Sequence, residues 1–169
     1  RLMRERKAKS MILGVDLDNT LICYDGVFHA AAVECGFMPE SGPRDKEGVR
    51  RYLCELDRES DFTLLQGQVY GPDLVKAVPY PFSLGVLSHV RQAGVAVFLV
   101  SHKTAAPVLG PPHDLRRAAR EWLKRHGFGA VFPPGTVFFE PSQDDKARRI
   151  AALGCTHFVD DMERFLQHP

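Results

Sequence analysis

Met11-Ile12-Leu13-Gly14-Val15-Asp16-Leu17-Asp18-Asn19-Thr20 begins apolar and ends with two carboxylates one residue apart. The apolar half, residues 11–15, reads as a short buried strand. Asp16 and Asp18 then stand at its exit. Like charges repel, and an ionised carboxylate buried without a partner is costly, so compensation is expected elsewhere in the chain.

Working outward, three more segments read as strands. Val95–Val100 is a continuous apolar run, as in a strand covered on both faces; Thr136–Glu140 and Thr156–Val159 follow. Helices separate them. Ser83–Ala93 carries Leu84, Leu87 and Val90 at helical spacing and stops at Gly94. Asp114–His126 carries Leu115, Ala118, Ala119, Trp122 and Leu123 on one face and stops at Gly127. Ser142–Leu153 stops at Gly154. A glycine stop before each strand is the helix-to-strand connection of an alternating α/β chain. The expected fold is α/β, a three-layer Rossmann-like parallel sheet. Between Asp25 and Pro81 the pattern changes. Phe28–Cys35 and Lys46–Leu56 read as helices, and Phe62–Gly71 as a hairpin turning at Gln66-Gly67. This stretch is expected to be a small insertion after the first strand, residues 26–78, with residues 10–25 and 79–169 forming the sheet domain.

Composition narrows the function classes. The chain has 169 residues, 44% of them hydrophobic, and a net charge of +1, so no global basic field points to nucleic acid or a membrane surface. No apolar run is long enough to span a bilayer. The basic stretch Leu2–Lys9 precedes too short an apolar run for a signal peptide and reads as a solvated end. The four cysteines are widely spaced without a CxxC pair. Zinc and a disulfide framework are not expected; a reducing, cytoplasmic setting is.

Ligands in open parallel sheets bind beyond the carboxyl ends of the strands. There the sequence places Asp16, Asp18 and Thr20, then Ser101-His102-Lys103, then Asp160-Asp161. Lys146, in the first turn of a helix, can reach the same edge. Four carboxylates against Lys146 as the clearest cation leave three negative charges. A hard divalent cation, Mg²⁺, would neutralise them, and this answers the opening puzzle.

These residues resemble the haloacid dehalogenase superfamily, whose members are mostly Mg²⁺-dependent phosphohydrolases. DLDNT at 16–20 is similar to that family's DxDxT. Ser101 after an apolar strand, Lys146 in DDKARRI and FVDD at 158–161 match its later motifs in order. The resemblance implies that Asp16 is a nucleophile forming an aspartyl-phosphate and that Asp18 is the general acid and base. It implies phosphate contacts from Ser101, Lys146 and backbone N–H groups around Leu17 and His102. Mg²⁺ would be held by Asp16, the Asp18 carbonyl, and Asp161 with Asp160 nearby. Asn19 stands where Gly is common, without expected loss of activity. The 81 positions from Thr20 to Ser101 leave room for a cap, read as Gly26 to Val78, and the 45 from Ser101 to Lys146 leave little for a second. Members usually continue past the fourth motif, so a truncated or disordered end is expected at Pro169.

The implied substrate is a small phosphomonoester. A phosphomutase, a phospho-accepting signalling domain and a non-catalytic binding module on the same scaffold are the alternatives; nucleic acid is not an expected partner, and oligomeric state is unreadable. Phe62, Tyr70, Arg50, Arg51 and Arg58 are the candidate substrate contacts of the insertion. His102 and Lys103 are rim residues, with substrate contact and plain exposure evenly weighed. Trp122 and Cys23 read as packing residues. The basic face Arg116, Arg117, Arg120, Lys124 and Arg125 reads as solvated.

Overall fold

The four sheet strands are β1 (Ile12–Val15), β4 (Ala96–His102), β5 (Val137–Glu140) and β6 (His157–Val159), in the parallel order β5-β4-β1-β6. The computed structural model describes residues 10–165; the basic stretch Leu2–Lys9 and the chain end at Pro169 lie outside them. β1 is central, and its Leu13 and Val15 are buried, as the apolar run requires. Gly14 allows a tight approach there: a Cβ on it would meet the Phe158 ring at 2.4 Å and the Cys155 sulfur at 3.1 Å. Gly14→Ala is therefore expected to lower stability by about 1–3 kcal/mol through overpacking, read as a lower urea midpoint. An unchanged midpoint would contradict this packing.

Flanking helices complete an α/β architecture. α4 (Ser83–Gln92), α5 (Leu115–Arg125) and α6 (Gln143–Ala152) match the expected helices within a residue or two. Asp114 caps α5 by accepting from Arg117 N, and Ser142 caps α6 by accepting from Asp145 N. Trp122 is core, its indole N–H donating to the Ala77 carbonyl at 2.8 Å.

The insertion enters through β2 (Ile22–Cys23) and leaves through β3 (Val78–Pro79), which pair antiparallel. Between them stand α1 (Val27–Glu34), α2 (Lys46–Cys54) and α3 (Glu59–Tyr70), then a short 3₁₀ turn at Pro72–Lys76. The expected hairpin at Phe62–Gly71 is wrong: residues 59–70 form a helix. Phe62, Leu65 and Val69 are its buried stripe, spaced by three and four residues. Gly67 sits in mid-helix because the 107–110 loop crosses it; a Cβ there would lie 2.9 Å from Pro107 Cβ and 3.1 Å from the Leu109 carbonyl oxygen. The glycine marks a close approach of two segments rather than a turn. The buried side chains of the insertion and of the sheet form one continuous cluster, in which Phe28 stacks on Phe62 and Tyr24 meets Phe28 and Tyr70 edge-on.

Candidate active site

The chain leaves the sheet immediately after Asp16, whose N–H still donates to Val159 at 2.9 Å. It then turns tightly: the Leu17 carbonyl accepts from Leu21 and Ile22 at 2.9 and 3.0 Å. Asn19 takes φ +58°, a left-handed conformation that Asn tolerates better than most residues. Its side chain also hydrogen-bonds to Asp161. This turn aims Asp16 and Asp18 into one cavity of about 350 Å³, shared with Ser101, His102, Lys103 and Lys146.

Each of the two carboxylates is held by its own buried lysine. Lys146 Nζ donates to Asp16 Oδ1 at 2.7 Å and to Asp160 Oδ2 at 2.6 Å. Lys103 Nζ donates to Asp18 at 2.9 Å from Oδ2 and 3.2 Å from Oδ1, and the Tyr24 hydroxyl donates to the same carboxylate. Lys103 is pinned along its backbone. Its N–H donates to the Glu140 carbonyl at 2.9 Å, and its own carbonyl accepts from Arg116 Nε at 3.0 Å.

The two acids are tuned in opposite directions. Burial, with repulsion from Asp18 and Asp160, pushes Asp16 up to about 6 against the pull of Lys146. Burial also works to raise Asp18, but the Lys103 charge and the Tyr24 and Lys103 hydrogen bonds outweigh it and hold the carboxyl below its usual range. Asp161 is raised, by the partial burial of an otherwise exposed residue and by Asp160, against the Asn19 hydrogen bond.

Asp16, Asp160 and Asp161 each offer a carboxylate oxygen within 4.8 Å of the others, the set among the described residues that could hold a metal ion. All are hard oxygen donors, which fits Mg²⁺ in kind. Asp160 is spent on protein partners, since its other oxygen accepts from Met162 N at 2.9 Å; Asp161 is exposed. The Asp18 carboxylate is outside this set, turned to Lys103 and Tyr24. Three lysines, not one, accompany the four carboxylates: Lys103 and Lys146 are buried and paired, and Lys46 stands on the cavity wall, leaving one negative charge.

Other expected residues fall as follows. Ser101 is buried at the cavity wall, and the Leu17 side chain is in the core. The His102 ring lies 3.2 Å from the Pro141 carbonyl and 3.4 Å from the Gln143 amide, at the cavity edge. Of the five candidate contacts in the insertion, Tyr70 lines the cavity. Phe62 is core, Arg58 pairs with Asp61, Arg50 pairs with Glu47 on the surface, and Arg51 is exposed. Lys46, Thr63 and Gln66 line the cavity and Tyr24 holds Asp18, and no sequence motif marks any of the four.

No protein-family profile matches the sequence, and no curated protein matches it. Solved structures do. A haloacid dehalogenase-like family hydrolase from Xanthomonas campestris is 11% identical with TM-score 0.51, over 90% of this chain and 75% of that one. A predicted phosphoglycolate phosphatase from Haemophilus somnus 129pt is 14% identical with TM-score 0.50, over 86% of this chain and 72% of that one. With the parallel sheet already described, these likenesses establish that the chain is built on the haloacid dehalogenase-like fold.

Proposed function

We propose that the chain is a Mg²⁺-dependent hydrolase of small phosphomonoesters that works in the cytoplasm through a phosphoryl group carried on Asp16. The observation that carries this reading is the pair of carboxylates on one turn, facing one cavity, each fixed by a separate buried lysine. The likeness to a predicted phosphoglycolate phosphatase supports the phosphomonoester class.

In this reading an Asp16 carboxylate oxygen attacks phosphorus, and the bond from phosphorus to the leaving oxygen breaks. Asp18 gives that oxygen its proton. As it stands Asp18 is held ionised; an arriving phosphoryl dianion competes for the Lys103 ammonium and so raises the carboxyl toward its acid form. In the second step Asp18 takes a proton from water, the water oxygen bonds to phosphorus, and the bond to Asp16 breaks. Ser101, Lys146 and the N–H groups of Leu17 and His102 hold the remaining phosphoryl oxygens. Asp16, Asp161 and the Asp18 carbonyl would hold Mg²⁺, with Asp160 fixing Lys146 beside them. Bound there, the ion would neutralise charge on the transferring oxygens. Residues 26–78 act as the cap over this site, shielding it from water.

Phosphate release from a panel of phosphomonoesters tests the proposal. Release is expected with Mg²⁺ and is expected to fall to background in EDTA. Equal release under both conditions would contradict the metal assignment, and no release from any ester would contradict the hydrolase.

A further inference from the structure

One cation of the cavity has no part in the chemistry above. Lys46, the first residue of α2, lines the cavity from the insertion side. It is half-buried and forms no ion pair among the described residues. Its neighbours are aromatic. The ammonium stands 5.8 Å from the Phe28 centroid and 5.7 Å from that of Tyr70, and it hydrogen-bonds to the Tyr70 hydroxyl. Lys103 lies 4.8 Å from the same Tyr70 ring, but Lys103 is committed to Asp18.

Such a placement needs a reason. An ammonium in the first turn of a helix gains nothing from the helix dipole, which favours anions there. The charges of Asp18 and Asp161 act on this ammonium, but no carboxylate of the described residues is in contact with it, so it forgoes the charge-assisted bonds that bring a buried cation its largest return. Packing on two rings fixes where Lys46 sits and leaves donor capacity facing the cavity. Gln66 of α3 adds a neutral hydrogen-bonding group to the cavity lining; the Thr63 hydroxyl there donates to the Glu59 carbonyl at 3.1 Å.

We infer that Lys46, with Tyr70 and Gln66 beside it, forms a second anion subsite, and that the substrate's leaving group carries its own anionic group, a carboxylate or a second phosphate. This deepens the phosphohydrolase reading and rests on it. A cavity of about 350 Å³ has room for a small bifunctional molecule.

Binding separates this inference from turnover. The full chain with Mg²⁺ is titrated calorimetrically with a short alkylphosphonate, with its ω-carboxylated counterpart of equal length, and with the equivalent bisphosphonate. The wild type is expected to bind an anionic-tailed ligand about 30-fold more tightly than the neutral one, the worth of one charge-assisted hydrogen bond. Whichever anionic tail binds better identifies the group. Lys46→Gln is expected to abolish the preference, and Lys46→Arg to retain most of it. A wild type without preference, or a Lys46→Gln protein that keeps it, would overturn the subsite. A preference in a chain that releases no phosphate would leave the subsite standing and sink the hydrolase; turnover without preference would do the reverse.

Discussion

Replacing Asp16 with Asn is expected to abolish phosphate release and, in EDTA, to make the protein more stable. The first half follows from chemistry: a carboxamide oxygen is too poor a nucleophile to open the covalent route, and loss of a nucleophile costs ~10⁴-fold or more in rate. The second half follows from burial. The Asp16 side chain is 6% exposed, and its pKa rises from 3.8 to about 6 even though Lys146 is 2.7 Å away. A pKa raised by folding means that the protonated form stabilises the fold. That stability is fully present below the unfolded value of 3.8 and is lost as pH rises through about 6. Above pH 6 the ionised carboxylate therefore costs about 3 kcal/mol, which Asn avoids while still accepting from Lys146. Asp18 works in the opposite sense: its lowered pKa contributes stability present above 3.8 and lost as pH falls through the folded value. The window between about pH 4 and pH 6 thus belongs to Asp16. Urea midpoints across it, wild type against Asp16→Asn, check the claim; a variant less stable than wild type at neutral pH would refute it. Such a trade of stability for function is common at active sites.

Lys146→Met is expected to be the most destabilising single change at the site. The lysine is 2% exposed and bridges two buried carboxylates, and the ring of Phe165 lies 4.4 Å from its ammonium. Without it, Asp16 and Asp160 face each other with no cation in contact. Removing one partner of a buried ion pair costs about 3–5 kcal/mol, a large part of the roughly 5–15 kcal/mol that holds a domain folded. Much of the loss is expected to return at about pH 5, where Asp16 takes up a proton. Chemical denaturation in EDTA at acid and neutral pH measures this. A loss that does not change with pH would mean that packing of the lysine stem, not charge, is what Lys146 contributes.

Much of the sheet could be read from the sequence because its signals are local. The apolar runs at 11–15 and 95–100 hold their own pattern, and Gly94, Gly127 and Gly154 all take the left-handed conformation that ends a helix. The insertion was harder. Residues 62–71 read as a hairpin because Gln66-Gly67 resembles a turn; the glycine is explained only by the 107–110 loop, far away in sequence. Site residues divide in the same way. Asp16, Asp18, Ser101 and Lys146 lie at strand ends or a helix start, where position and residue type can be read together. Tyr24, Lys46 and Lys103 owe their places to side chains converging from separate segments, and no spacing announces that. Counting one lysine where the fold gathers three made the site look more acidic than it is.

Trapping the covalent intermediate tests the central claim most directly. An Asp18→Asn protein lacks the base for the second step and the acid for the first, so it is given Mg²⁺ and an aryl phosphate whose leaving group departs without a proton; a phosphoryl group should then remain on the enzyme. Acid quenching followed by peptide mass spectrometry is expected to find one phosphoryl group, on the peptide containing Asp16, and none on the Asp16→Asn protein. Phosphate released by the wild type with the label on another residue, or with no label on either variant, would contradict Asp16 as the nucleophile.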